Sequence, residues 1–282
     1  MTELTGTGEL REVRGPSAMG GGWRRFADLL YLISVTEFKK TYFGTVLGYF
    51  WSLLRPLMVF VVLLFVFTKV FRLGSQVDNY PALLLVNLVL FTFFQEATLS
   101  SVGSVVGQEG IVRKTQFPRL VIPLSVVMTS LFNFGLNLVA VVIIILAFGV
   151  APLWTWLLFP LVVVVLSCLT TAVAMLLAAL YVRFRDVAII WGVLITILFY
   201  GTPVLYPLEF VPAGFGQLIL LNPLTPLFVE VRHWVIDPNA QTALDAYGSW
   251  LHLLAPIALL VAICVLGAWI FNREAPRIAE EL

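Results

Sequence analysis

Long uncharged apolar runs alternate with short charged connections along this chain. A helix needs about 20 mostly apolar residues to cross the hydrocarbon core of a bilayer. Six stretches meet that length: 50–70, 82–104, 122–148, 153–179, 187–206 and 250–271. Ahead of them, WRRFADLLYLISVTEFKK carries Trp23, Phe26, Leu30 and Ile33 at i+3/i+4 spacing, with Arg24, Arg25, Asp28, Glu37 and Lys39 on other faces. That pattern predicts an amphipathic helix in the interface plane. It is read either as a simple anchor or as a helix that also touches a cytoplasmic partner. Between the fifth and sixth runs, AGFGQLILLN and TPLFVEVRHWVI are apolar but too short to span, so they predict re-entrant or interfacial helices. Asn222-Pro223 is expected to break the first, and Thr225-Pro226 to supply the N-cap and first position of the second. The expected fold is an all-α membrane protein with six transmembrane helices, an N-terminal amphipathic interface helix, and short re-entrant or gate helices before the last span. The chain divides into a flexible cytoplasmic N-terminus (1–22), the interface helix (23–41), the six-span domain (42–275) and a cytoplasmic C-terminus (276–282).

Basic residues set the direction of insertion. With the N-terminus cytoplasmic, all but three of the 17 Lys and Arg residues fall on that side; Lys69, Arg72 and Arg232 are the exceptions. Both termini are therefore expected inside. Tryptophan agrees: Trp23, Trp51, Trp191 and Trp269 fall near the inner boundary, and Trp154, Trp156, Trp234 and Trp250 near the outer one, as aromatic belts do.

Composition changes the picture little but closes off alternatives. Only 12% of the 282 residues are charged and 60% are hydrophobic, with a mean hydropathy of +0.99. A soluble domain carries about 25% charge, so a water-solvated surface is excluded. The net charge of +1 gives no pull on nucleic acid. Residues 1–22 are polar and Gly-rich, without the apolar core or cleavage site of a removable signal peptide. Cys168 and Cys264 sit in apolar runs and are expected to be buried packing thiols, not a disulfide or metal ligands.

No enzyme constellation is present. His233 and His252 are isolated, metal-site spacings and GxSxG are missing, and nothing of the form GxxxxGK[ST] exists to cradle ATP phosphates. If the chain belongs to a pump, its motor is a separate polypeptide. Glu96, in FFQEATLS, lies inside the second span. An ionisable group at that depth faces a bundle interior or water, or else hydrogen-bonds a neighbouring helix end. Arg55-Pro56 follows Gly44-xxx-Gly48 at the entry to the first span. The glycines permit either a bend or close helix contact, and the arginine can snorkel to the inner interface. Phe60, Phe67, Phe93, Phe199, Tyr200 and Tyr206 fall on the first, second and fifth spans. They are open to two roles, packing or lining an aromatic conduit on which sugar rings slide. The segment 207–249 is either an extracellular lid or a passive loop.

Four motifs occur in order: KKTYFGTVLGYFWSLLRPL, EGIVRKTQFPRLVIPL, VRFRDVAIIWGVLITILFYGTPVLYPL and LNPLTPL. Together they resemble the membrane subunit of ABC transporters that export O-antigen, teichoic acid, galactan and related cell-envelope polysaccharides, over about residues 23–275. The resemblance implies a homodimer bound to two copies of a separate ATPase, with ATP and Mg on that partner and no cofactor on this chain. It implies ATPase-coupling roles for the surface helix and for Arg113, Lys114, Phe117, Pro118, Arg183, Phe184, Arg185 and Asp186. The short helices between Pro207 and Trp234 correspond to gate helices, and the first and fifth spans to channel walls. Where the family carries an R-x-R step, this chain has Lys39-Lys40-Thr41-Tyr42, which keeps the charge but not the guanidinium fork.

The resulting expectation is a non-enzymatic permease in a bacterial inner membrane. It moves a lipid-linked polysaccharide outward, with the lipid head entering near Lys39, Lys40 and Arg55, and Phe60, Phe67, Phe93, Glu96, Phe199, Tyr200 and Tyr206 lining the channel. The alternative within the class is a drug or small-lipid exporter. An ion-coupled carrier would need paired broken repeats with midplane charges, which this sequence lacks. A membrane glycosyltransferase would need a carboxylate pair at an aqueous face.

Overall fold

The structure is a computed structural model that describes residues 22–42, 48, 50–110 and 118–275. Its described residues are built from helices. Helix α1 (Trp23–Tyr42) precedes α2 (Phe50–Phe65), which runs on through a wide π turn at Val66–Val70. Next come α3 (Tyr80–Val102), the short α4 (Ser104–Gly107) and α5 (Val121–Ala147). A 3-10 turn at Trp154–Leu158 feeds α6 (Phe159–Arg183), and α7 (Val187–Gly201) follows. Beyond it lie α8 (Ala213–Leu221), α9 (Thr225–Val231), α10 (Ala243–Tyr247) and α11 (Trp250–Glu274).

Among the described residues, five rods are long and apolar enough to cross a membrane, Phe50–Val70, Tyr80–Val102, Val121–Ala147, Trp154–Arg183 and Trp250–Glu274, and a sixth is added if the bent pair Gly214–Leu221 and Thr225–Ile236 counts as one span. The fifth expected span departs from the reading of 187–206. Its helix has 15 residues and stops at Gly201, giving about 22 Å of rise. Thr202 is extended, with ψ 145°, because Pro203 disfavours the helical conformation in the residue before it. The apolar run continues, but as irregular backbone. Thr202, Pro203, Val204, Leu205 and Pro207 are all buried, as non-helical backbone at membrane depth must be. Tyr80 Oη donates to the Leu205 carbonyl at 2.8 Å and Asn87 Nδ2 to the Pro203 carbonyl at 3.2 Å. Side chains of α3 thus replace the hydrogen bonds that α7 gives up.

The short apolar pair forms the expected elbow, bent by 95° between Gly214–Leu221 and Thr225–Ile236. Asn222-Pro223 ends α8, and Asn222 Oδ1 accepts from the Leu224 amide at 3.0 Å. Thr225 does not act as the N-cap. It is the first residue of α9, and its buried hydroxyl donates backward to the Ile219 carbonyl at 2.6 Å. That hydroxyl satisfies the open carbonyl end of α8 instead of the amide end of α9.

Helix α3 is the axis of the molecule. Every residue from Ala82 to Phe91 is buried, as a helix that is apolar all round must be. Helices α5 and α6 enclose it, with Phe93 against Phe134 at 5.2 Å between ring centroids. Helix α11 lies on α6 at backbone distance, since a Cβ on Gly267 would collide with the Ala172 carbonyl. Small residues at such crossings let helices gain packing where lipid offers no hydrophobic drive. The two cysteines are free, and Cys168 is exposed and Cys264 half-buried, against the expectation of buried thiols. An apolar run in a membrane chain does not separate core from lipid-facing positions, because lipid tails are as apolar as a core.

Candidate functional site: a polar cleft in the helix wall

Helices α2 and α7 are held by one edge only. Pro56 and Phe60 are the buried residues of α2, and Ile195 is that of α7. Between them and α3 opens a cleft of about 440 Å³, lined by Arg55, Pro56, Val59, Leu88, Thr92, Gln95, Glu96, Leu99, Thr196, Phe199 and Tyr200. The helical repeat explains the lining. Leu88, Thr92, Gln95, Glu96 and Leu99 recur at three- and four-residue steps along one face of α3, and Arg55 and Val59 do the same on α2.

At one end of this face Arg55 Nη1 lies 3.8 Å from Glu96 Oε1. Arg55 is five residues into α2 and Glu96 six residues before the end of α3, so both lie about 8–9 Å inside the same end of the bundle. Glu96 therefore neither hydrogen-bonds a neighbouring helix end nor hides in the bundle; it faces a cation across an open cleft. Phe199 anchors the opposite wall, 5.1 Å from Phe91 and 5.2 Å from Tyr200. The Tyr200 ring is exposed, and its carbonyl accepts from Tyr206 Oη at 2.6 Å.

Of the residues singled out for the conduit, the cleft gathers Glu96, Phe199 and Tyr200, joined by Arg55 from those singled out for lipid-head entry; Tyr206 lines a separate pocket with Asn87 and Pro203. Phe60 and Phe93 are buried at 5% and 3% exposure, where they pack the interior and offer no surface to a cargo. Phe67 sits on the π turn against Phe71, away from the cleft. Thr92, Gln95 and Thr196 were not singled out. Glu96 and Tyr200 signal them: one helical turn before Glu96 is Thr92, and one before Tyr200 is Thr196. Lys39 and Lys40 are exposed on the last turn of α1, where Lys40 Nζ donates to Glu37 at 2.9 Å.

A second site lies at the end of the bundle that bears α1. Phe26 of α1, Val105 of α4, Val121 and Ile122 of α5, and Ala178 and Val182 of α6 form one buried cluster. Helix α1 is thus docked on protein as well as suited to an interface. Thr129 Oγ1 donates to the Ser34 carbonyl at 3.2 Å, and Phe38 meets Phe132 edge-on at 5.8 Å. Its Trp23, expected on the apolar face, is 71% exposed. The turn between α6 and α7 projects from this cluster. Arg183 lies over the Phe184 ring at 5.5 Å and Arg185 over Tyr181 at 4.9 Å. Arg183, Phe184, Arg185 and Asp186 are all exposed. Pro118 is buried, whereas Arg113, Lys114, Phe117 and Gly44 lie outside the described residues. Gly48 has φ +51° and its carbonyl accepts from the Trp51 amide, so this glycine serves a bend.

The apolar rods and the buried irregular backbone define a multi-pass membrane protein with a polar cleft in its helix wall. Residues 28–234 match the family described as ABC-2 type transporter, and the chain belongs to that family. It is 30% identical over 264 residues to the O-antigen export system permease protein RfbA of Myxococcus xanthus, covering 92% of this chain and 96% of that protein. It is also 30% identical over 256 residues to the protein of the same name from Klebsiella pneumoniae, covering 90% and 95%. The polysialic acid transport protein KpsM of Escherichia coli is 23% identical over 245 residues, covering 84% and 90%.

Proposed function

We propose that this chain is the permease subunit of an ATP-driven exporter that moves lipid-linked polysaccharide outward across a bacterial inner membrane. The observation that carries this reading is the nearly end-to-end similarity to permeases named for O-antigen export. The cleft supports it: hydroxyls, an amide and aromatic faces line it from α3 and α7, Thr92, Gln95, Thr196 and Tyr200 among them. Sugar rings stack on such faces while their hydroxyls exchange weak hydrogen bonds. The wall is one-sided, so two copies facing one another would enclose a conduit, and we take the working unit to be a homodimer. The lipid head enters at the basic end, near Lys39, Lys40 and Arg55.

Both termini lie in the cytoplasm in this reading, and two copies of a separate ATPase carry the nucleotide and its Mg. They dock on the end of the bundle bearing α1, against Arg183, Phe184, Arg185 and Asp186, and on Arg113, Lys114, Phe117 and Pro118. The shared cluster of α1, α4, α5 and α6 means that a push on any one element is felt by the others as a rigid-body shift. The elbow of α8 and α9 closes the outer exit.

Depletion of the chain in its own host tests the proposal. Lipid-linked glycan is expected to accumulate on the cytoplasmic side, and an ATPase to copurify with the tagged permease. Unchanged glycan export alongside lost efflux of a drug or small lipid would establish the alternative exporter instead. Transport by the reconstituted chain alone, driven by an ion gradient, would sink both.

A further inference from the structure

Two Arg–Glu pairs in this molecule differ in a way that separates their roles. Arg232 Nη1 lies 2.9 and 3.0 Å from the two carboxylate oxygens of Glu209, with the Arg232 side chain only 16% exposed. That pair is closed and hydrogen-bonded. Arg55 and Glu96 stand 3.8 Å apart, beyond hydrogen-bond reach, with side chains 77% and 36% exposed. Five guanidinium donors therefore face an open cleft and a carboxylate that meets them only as a loose ion pair.

We infer that Arg55 and Glu96 form an exchangeable anion seat, in which Glu96 stands in for the phosphate of a visiting lipid head until that phosphate takes its place. The inference rests on the reading of the cleft as the cargo's path. A lone arginine at this depth is costly, and Glu96 neutralises it between visits. A phosphate carries more charge than a carboxylate and fits the guanidinium fork bidentately, so it displaces a partner held this loosely. Singly charged, weakly binding anions do not, which makes Glu96 a discriminating element as well as a counter-ion.

The surroundings suit such a ligand. The cleft's 440 Å³ is room for about fifteen waters at roughly 30 Å³ each, so a diphosphate fits without rearrangement. Gln95 and Thr196 offer hydrogen bonds beside the pair, and Val59, Leu88 and Leu99 offer an apolar wall to an attached hydrocarbon chain. Trp51, one turn before Arg55 and 43% exposed, marks the depth at which a headgroup sits.

The experiment is equilibrium binding of farnesyl diphosphate to the full-length chain in phosphatidylcholine nanodiscs, with farnesol and inorganic pyrophosphate as controls. Removing the competitor by Glu96→Gln is expected to tighten farnesyl diphosphate binding several-fold. Arg55→Gln is expected to weaken it more than about tenfold, as loss of a hydrogen bond to a charged group does, with Arg55→Lys between the two. Glu96→Asp, which shortens the competitor, serves if Glu96→Gln does not fold and is expected to tighten binding as well. Competition by inorganic pyrophosphate assigns the contact to the anion alone. Its failure to compete, with the Glu96 effect intact, assigns it to a lipid-borne phosphate. Unchanged or weaker binding in both Glu96 variants, or equal binding of farnesol, overturns the seat. Because the readout needs no glycan, that failure leaves the export proposal standing. Conversely, a depleted host that exports glycan normally leaves the seat to an exporter of some other phosphorylated lipid.

Discussion

The α6–α11 crossing and the α2–α7 wall are both made of mostly apolar helix, yet they are built to opposite specifications. At the crossing, Gly267 meets the Ala172 backbone with no room for a methyl group, and Phe271 is fully buried beside Ala179 and Ala275. In the wall, Val61, Val62, Ile189 and Ile197 all face outward, and each helix is attached by a narrow strip. Close backbone packing through small residues fixes one part. Attachment through a few side chains, Pro56, Phe60 and Ile195, holds the other. A transporter needs both, a frame to push against and a wall that yields.

The same substitution in the two regions gives the largest contrast. Gly267→Ala is expected to cost about 2 kcal/mol or more through overpacking, read as a large fall in the melting temperature of the purified protein. Gly192→Ala on α7 meets nothing within 4 Å. It is expected to be neutral or to stabilise by about 0.5 kcal/mol, since glycine inside a helix is entropically costly. Equal losses at both sites would end the distinction.

A smaller effect is expected where wall and frame join. Asn87→Ala removes the donor to the buried Pro203 carbonyl and is expected to cost about 1–3 kcal/mol. Tyr80→Phe removes the donor to Leu205 and is expected to cost about 1 kcal/mol. Faster amide exchange confined to 202–207 in either variant places the loss at this joint.

The smallest effect lies in the outer segment. Hydrogen bonds from the Thr242 side chain and backbone hold the Asp245 carboxyl below its ordinary value of 3.8, as one half of a capping box at the start of α10. With the folded value depressed, this contribution is present above the unfolded value and lost as pH falls through the folded one. Asp245→Asn is expected to flatten the acid limb of the melting curve below about pH 4 and to lower the melting temperature slightly at neutral pH, where the native carboxylate contributes in full.

Much of the fold was legible in the sequence because hydrocarbon thickness sets helix length directly. The spans around 50–70, 82–104, 122–148 and 250–271 fall within a few residues of their helices. The end of α7 was not read, although Thr202-Pro203 carried the signal, because Val204 and Leu205 kept the run apolar past the break. In the cleft, charge marked Arg55 and Glu96, and those two came together. Phenylalanines were a poor guide, since Phe93 in the core and Phe199 at the cleft edge look alike when lipid and interior are equally apolar. Thr225 shows the same limit for polar residues. Its type promised a cap, but the elbow's geometry turned its hydroxyl toward the preceding helix.

The early stop of α7 also bears on the membrane around it. About 22 Å of helix stands beside hydrocarbon that is about 30 Å thick, so acyl chains along that flank are thinned or splayed unless the elbow of α8 and α9 fills the deficit. Bilayer thickness thereby becomes a variable acting on the yielding wall and not on the frame. The same polypeptide placed in short-chain and long-chain lipid should settle with that wall at different heights.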